Sequence, residues 1–459
     1  MSEAITTQCV LFPSIFHKPV FASFDQTNGS SDGGAVLLKA ADDRLGLIRR
    51  LADSVVDPRQ PGKVTHMFRE LLAQRIFAIA MGYPDGNDAA RLAADPIHKL
   101  IVERDPIHGD DLASQPTLSR FENSLAARDM YRLGRTIADT VIHHHRARLR
   151  GRVERVTIDL DPTDDPTHGT QQLSFFNGHY DSWCYLPVVG FLTFNDEPDQ
   201  HLFTAVLRPG NAPAKKGAIG LLRQILNRLR AAFPRARFRI RLDGGFAAAE
   251  VFAFLDEQLD VDYVVAMAKN SVLKRRARRL MGRARKRSRR SRRTEHEYGD
   301  CLYAAGRWPA KRRVIIKAEV VQHPGRAMKD NPRFLVTNMS GTPQWIYEKV
   351  YCARGDIENR IKELQNGMDI GRTSCSSFFA NQFRVLLTAA AYVLMQVVRS
   401  AAGKTSLARA QVSTLRERLL KLGVRVVESV RRIVLHLPRA FPDKKAWLRI
   451  ARRLGAEAG

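Results

Sequence analysis

The sequence predicts an α/β protein: a mixed sheet flanked by helices, carrying a β-rich insertion, with helical regions before and after it. Three observations point there. Between residues 151 and 270, strand signals and helix signals alternate. Before 150 and after 400, apolar residues recur at helical spacing. From 271 to 340 a basic run is followed by renewed strand signals.

Within 1–150, Met67 to Met81 has the helical spacing, and Pro84-Asp85-Gly86 stops it. In Q-P-T-L-S-R-F-E-N (115–123), Thr117 or Ser119 can cap the following helix, with Arg120 near its start. A capped surface helix is the commoner meaning of that pattern, a recognition helix the rarer one. His143 to His145 are consecutive, so on a helix they point in different directions and read as a solvated basic face rather than a ligand cluster.

In 151–270, the first part of the core, V-E-R-V-T-I-D-L-D, W-C-Y-L-P-V-V-G-F-L-T-F and H-L-F-T-A-V-L-R-P-G give three strands in succession. A helical pattern through Leu222, Leu226 and Leu229 follows, then R-F-R-I-R-L-D, a helix from about Ala247, and D-Y-V-V-A-M-A. In the first strand Val156, Ile158 and Leu160 face one way, and Thr157, Asp159 and Asp161 the other. Pro162 ends it, and Asp164 and Asp165 read as turn residues.

Region 271–340 opens with Lys274 to Arg293, which has no acid and too little apolar surface to fold alone. It reads as a solvated, mobile run that can clamp phosphates through Lys274, Arg275, Arg276, Arg285, Lys286 and Arg287. R-R-V-I-I-K-A-E-V-V and R-F-L-V-T-N are strands. Region 341–400 is helical, and Val385 to Val398 is an apolar run too short to span a bilayer, bounded by Arg384 and Arg399, that reads as a buried core helix. The basic tail, 401–459, is read as helical, with L-R-E-R-L-L-K-L-G and R-R-I-V-L-H-L as its clearest pieces.

A formal net charge of +27 over 459 residues attracts polyanions, nucleic acid first. Region 1–150 is accordingly read as a helical DNA-binding region. The N-terminus, M-S-E-A-I-T-T-Q, lacks the pattern of a secretion signal, and no membrane partner is expected. Cys9, Cys184, Cys301, Cys352 and Cys375 are scattered without a C-x-x-C pair, which favours a reducing compartment and argues against a disulfide framework or a zinc site.

Asp161 at one strand end, Asp243 at another in L-D-G-G-F, and Glu358 in Y-C-A-R-G-D-I-E-N-R-I-K-E-L-Q are hard oxygen donors suited to Mg²⁺ or Mn²⁺. Taken singly, Asp243 reads equally well as a helix cap and Glu358 as the partner of Lys362 in a surface ion pair. Their order, however, resembles the DDE transposases of bacterial insertion sequences, and most closely the DDE group 1 transposases. Tyr351, Arg354 and Glu358 fall at that family's spacing, with Gln365 where its signature has Lys. S-D-G-G (31–34), R-Q-P-G-K-V-T-H (59–66), T-D-D-P-T-H-G, L-R-P-G-N (207–211), D-Y-V-V, A-N-Q-F-R and L-L-K-L-G-V-R-V-V are further shared phrases, collinear over nearly the whole chain.

The resemblance implies a ribonuclease H-like core in which Asp161, Asp243 and Glu358 hold two Mg²⁺ or Mn²⁺ ions. It also implies double-stranded DNA as partner, a dimer or larger synaptic complex, a bacterial cytoplasm with the protein on the nucleoid, and an insertion that grips transposon ends. Arg354 and Tyr351 would hold a phosphate, with Lys362 supplying the cation that Gln365 does not. Trp308, in the insertion, would either stack on an unpaired base or pack in the core, as would Trp345 beside it. Rival readings are a ribonuclease H-like nuclease without strand transfer and a non-catalytic DNA-binding protein.

Overall fold

The computed structural model describes residues 10–12, 14–150, 152–306 and 308–457; the N-terminal octapeptide and Cys9 lie outside them. Helix α1 (Phe68–Met81) forms as its spacing predicts and ends at Gly82, whose φ of 90° suits a residue without a Cβ. Helix α2 (Gln115–Glu122) begins one turn earlier than expected: Ser114 is its N-cap residue, so Thr117 and Ser119 lie inside it and do not cap it. Nor is it a simple surface helix. Glu122 is buried, paired with Arg75 and Arg384, and Phe121 packs edge-on against Phe68 and Phe383. In α3 (Ala127–Leu149) His143 is exposed, but His145 is buried against Phe194 and His201, so the triplet is not a solvated face. Burial lowers the pKa of His144 to about 4 and of His201 to about 3.

Strands β1 (Arg155–Pro162), β2 (Val188–Phe194) and β3 (His201–Val206) form the expected antiparallel meander. After α4 (Ala218–Ala232), β4 (Arg237–Leu242) runs parallel to β1; after α5 (Ala249–Asp256), β5 (Val261–Met267) runs parallel to β4. The sheet is mixed and flanked by helices. Asp165 is not a turn residue: it pairs with Tyr185 in a short ladder, and its buried carboxylate accepts from Thr373.

The basic run folds. Helix α6 (Ser271–Ser291) buries Leu273, Ala277, Met281, Ala284 and Ser288, one stripe at helical spacing, against the sheet. The apolar surface missing from its own sequence is supplied by its neighbours. The strands of the insertion are not a separate layer either. β6 (Glu295–Tyr303), β7 (Arg312–Val321) and β8 (Arg333–Thr337) extend the core sheet, whose nine strands include the order β6-β7-β8-β5-β4-β1-β2-β3.

Past residue 345 the helix is irregular. π turns at Ile346–Tyr351 and Glu363–Gly367 and a 3₁₀ turn at Cys352–Arg354 bracket α7 (Gly355–Lys362). Helix α8 (Phe378–Ala402) is long and apolar enough to cross a membrane, but 94% of its most apolar stretch is buried inside the protein. It covers the free edge of β3. The Gln396 carboxamide accepts from Leu202 N and donates to Gln200 O, and Gln382 does the same for Leu207 N and Ala205 O. Two side-chain amides thus stand in for the next strand, which is how an exposed edge is blunted.

The tail is helical at Val412–Leu415, continued by a π turn at Arg416–Leu420 that takes in most of L-R-E-R-L-L-K-L-G, and again at its end, α9 (Lys444–Leu454). R-R-I-V-L-H-L is instead mostly a strand, Arg432–His436, paired with Val424–Ser429, which in turn pairs with Gly29–Ser30. This joint explains two shared phrases. Asp32 of S-D-G-G is buried between His98 (2.8 Å) and Lys421 (2.9 Å) of L-L-K-L-G. The N-terminal helices, α8 and α9 share one core over one sheet face, while α4, α5 and α6 cover the other.

Candidate active site

Parallel register aligns Leu242 of β4 with Leu160 of β1, so the next residues, Asp243 and Asp161, emerge side by side where both strands end. One residue pair earlier, Arg241 opposes Asp159. Those two form a fully buried fork, Nε to Oδ1 at 2.7 Å and Nη2 to Oδ2 at 2.6 Å, with Gln200 donating a third bond to Asp159 at 3.0 Å. With three bonds on its carboxylate and no exposed surface, Asp159 is closed to a ligand from the site and serves the structure. Arg241 also donates to Val350 O, tying the sheet to the irregular helix above it.

From that helix Arg354 reaches Asp161, Nη2 to Oδ1 at 2.7 Å, both side chains largely buried. Tyr351 is half-buried and within the field of Arg354, Asp243 and Asp161. Glu358, in the first turn of α7, is exposed, yet close enough for its charge to act on Asp161. Asp243 caps the 3₁₀ turn that precedes α5, not α5 itself, by accepting from Gly245 N at 3.0 Å. Gly245 is small for a reason: a Cβ there would sit 2.7 Å from the Ala214 Cβ.

Burial, opposed by Arg354 and reinforced by Asp243 and Glu358, raises the pKa of Asp161 to about 7. Asp243 is raised too, by burial first. A pair of half-buried, mutually repelling carboxylates, with the guanidiniums of Arg354 and Arg208 as counter-charges, is a donor set that a hard divalent cation suits. Among the described residues no three acidic, His or Cys side chains converge as a ready cation cage; the Arg354 guanidinium stands on Asp161 instead. The linkage has a definite sign. An Asp with a raised folded pKa holds its proton where the unfolded chain has lost it, so stability falls as pH rises from the ordinary carboxylate range to about 7. Without metal, the melting temperature of Asp161→Asn relative to wild type rises between about pH 5 and about pH 8. Parallel melting curves across that range would contradict the assignment.

Other expected site residues are distributed differently. Gln365 donates to Thr163 Oγ1 at 2.8 Å, holding the loop that follows Asp161. Lys362 is exposed, and the Glu358 to Lys362 ion pair does not form. Trp308 is half-buried and packs on the edge of the core, against Phe252 (4.8 Å) and Tyr303 (5.6 Å) with the Arg312 guanidinium over its ring. On α6, Arg276 bonds Leu302 O, Arg285 pairs with Asp330, and Arg287 with Glu295 and Glu297; Lys274, Arg275 and Lys286 are exposed. Two groups near Asp243 were missed, Arg208 and Tyr180. The signal available for the first was the shared phrase L-R-P-G-N, which carried no assigned chemistry.

Among solved structures, the chain is similar to one described as a piggyBac transposase synaptic complex with hairpin DNA, at 10% identity and a TM-score of 0.41 over 93% of this chain and 86% of that one. That likeness is too distant to bear on function. No curated protein matches significantly. The family model described as transposase DDE domain group 1 matches residues 12–457, and the chain belongs to that family of DNA transposases, metal-dependent enzymes that cut and join DNA strands.

Proposed function

We propose that this transposase cuts DNA at the inverted-repeat ends of an insertion sequence and joins them to target DNA, with Asp161, Asp243 and Glu358 as the ligands of two Mg²⁺ or Mn²⁺ ions. The observation that carries this reading is the emergence of Asp161 and Asp243 side by side from neighbouring parallel strands, next to Arg354 and within the field of Glu358. The strand sequence β1 to β5, with the first Asp on the first strand and the second after the fourth, is the pattern of a ribonuclease H-like core. When bound, the ions lower the pKa of the attacking water and stabilise the leaving oxygen.

The chain's own part is positioning. Arg354 and Tyr351 orient a phosphate for in-line displacement, for which no covalent protein nucleophile is required. Lys362, exposed one turn after Glu358, supplies a compact charge toward the DNA. Lys362→Ala lowers cleavage about tenfold with an unchanged melting temperature; normal cleavage would leave Lys362 as ordinary surface. Two copies or more assemble on paired ends, in a bacterial cytoplasm and on the nucleoid. The direct test is cleavage of a duplex carrying the gene's flanking repeats in Mg²⁺. Wild type cuts it and Asp243→Asn does not.

Duplex affinity comes from the outer face of α6. Arg275, Arg279, Arg283, Lys286 and Arg290 form a stripe directly opposite the buried one, all exposed. Replacing those five by Gln keeps the buried stripe, so the helix stays in place, and flattens the salt dependence of duplex binding by about 0.9 in log–log slope for each phosphate no longer neutralised. An unchanged slope would mean that this face points away from DNA.

A further inference from the structure

Arg208 lies just beyond the end of β3 and is 7% exposed. Its Nε donates to Leu186 O at 2.9 Å, and its Nη1 to Ala214 O at 2.9 Å, Pro213 O at 3.2 Å and Lys216 O at 3.3 Å. Nη2 has no partner among the described residues. A buried guanidinium N–H without an acceptor is expensive, so this one calls for an acceptor from water or a ligand. Ala214, whose carbonyl Arg208 holds, packs its Cβ against Gly245, whose N–H donates to the Asp243 carboxylate, so the guanidinium stands near Asp243; burial lowers its pKa to about 10, and it remains a cation at neutral pH.

Tyr180 sits in the turn between the short strands Phe175–Asn177 and Ser182–Tyr185. It is half-buried within the field of Asp164, Asp161 and Asp243, and its phenol, which ordinarily ionises only at pH ~10, keeps its proton at neutral pH and donates. That hairpin is fastened to the segment after Arg208. Gly210 N donates to Leu173 O at 3.3 Å, and Asn177 Nδ2 donates to Gly210 O at 2.8 Å. The approach is so close that a Cβ at Gly210 would lie 2.0 Å from Cys184 O. L-R-P-G-N is thus the joint that fixes Arg208 and Tyr180 relative to each other.

An active site with three carboxylates must admit a polyanion, and Arg354 is already paired with Asp161. We propose that Arg208 and Tyr180 are a positioning pair that holds a non-bridging phosphate oxygen of the DNA strand beside Asp243, through Arg208 Nη2 and the Tyr180 hydroxyl. This rests on the proposed reading of the site. The donors are fixed in advance by the carbonyls of 186 and 213–216 and by the hairpin, so little ordering is needed when DNA arrives.

The test is a chemical double-mutant cycle on the full chain, using a duplex that carries the gene's flanking repeat with single methylphosphonates placed one at a time around the cut. Neutralising the phosphate that the pair holds slows wild type by about tenfold or more. Arg208→Lys, which keeps the charge but loses the fork, and Tyr180→Phe, which removes only a hydroxyl, are slow on unmodified DNA. They lose nothing further at that one position while keeping wild-type penalties elsewhere. Tyr180→Phe leaves the loop latch intact and so answers the question even if Arg208→Lys folds poorly. Penalties equal to wild type at every position, or variants as fast as wild type on unmodified DNA, overturn the pair. Wild-type protein that fails to cut the duplex overturns the underlying reading and the pair with it.

Discussion

Asp161→Asn abolishes cleavage of repeat ends, in Mg²⁺ and in Mn²⁺, by about 10³-fold or more, equivalent to about 4 kcal/mol of barrier. Duplex binding survives, because the exposed arginines of α6 are untouched. The size of the loss follows from where the carboxylate stands. Asp161 ends a central strand, beside Asp243 and under Arg354, with only the Arg354 guanidinium paired to it. Removing its charge removes a ligand while the sheet stays as it was. Cleavage and binding measured on the same preparation separate the two effects; a variant that cuts normally would move the first ligand elsewhere.

Asp159→Asn has its effect on the fold. Asp159 and Arg241 are buried and bonded as a fork, with Gln200 and Val350 O completing the network. Taking away one charge leaves the other uncompensated in the interior, at about 3–5 kcal/mol. The variant melts several degrees lower and yields less soluble protein, yet the fraction that folds retains measurable cleavage. Asp165→Asn likewise acts mainly on stability, since its carboxylate is buried against Thr373. Thermal melts and cleavage per folded molecule distinguish these residues from Asp161. Full stability with lost cleavage in Asp159→Asn would reverse the two assignments.

The alternation of Val156, Ile158 and Leu160, and the strand and helix signals that follow, made the order β1 to β5 legible, because a half-buried sheet imposes period two on each strand. The ends of β1 and β4 could then be read from Pro162 and from Gly244-Gly245. What escaped depended on partners distant in sequence. Nothing near Lys274 to Arg293 shows that the extended sheet supplies an apolar bed for α6. His145 looked solvated because Phe194 and His201, which bury it, are remote in sequence. R-R-I-V-L-H-L is too short for its period to decide between helix and strand, and pairing with Val424–Ser429 decided it. Arg208 was hidden for the same reason: the Leu186 carbonyl and its neighbour Asp243 meet it only in the fold.

Strand transfer tests the central claim most directly. Pre-cut repeat ends with free 3′-hydroxyls, incubated with a supercoiled plasmid and Mg²⁺, are compared for wild type and Glu358→Gln; Glu358 is exposed, so that substitution leaves the fold intact. The account predicts ends covalently joined to plasmid with wild type and none with Glu358→Gln, both proteins binding the ends equally. Pre-cut ends bound but never joined by wild type would contradict strand transfer and leave the protein a nuclease, and joining undiminished in Glu358→Gln would contradict the assignment of the site.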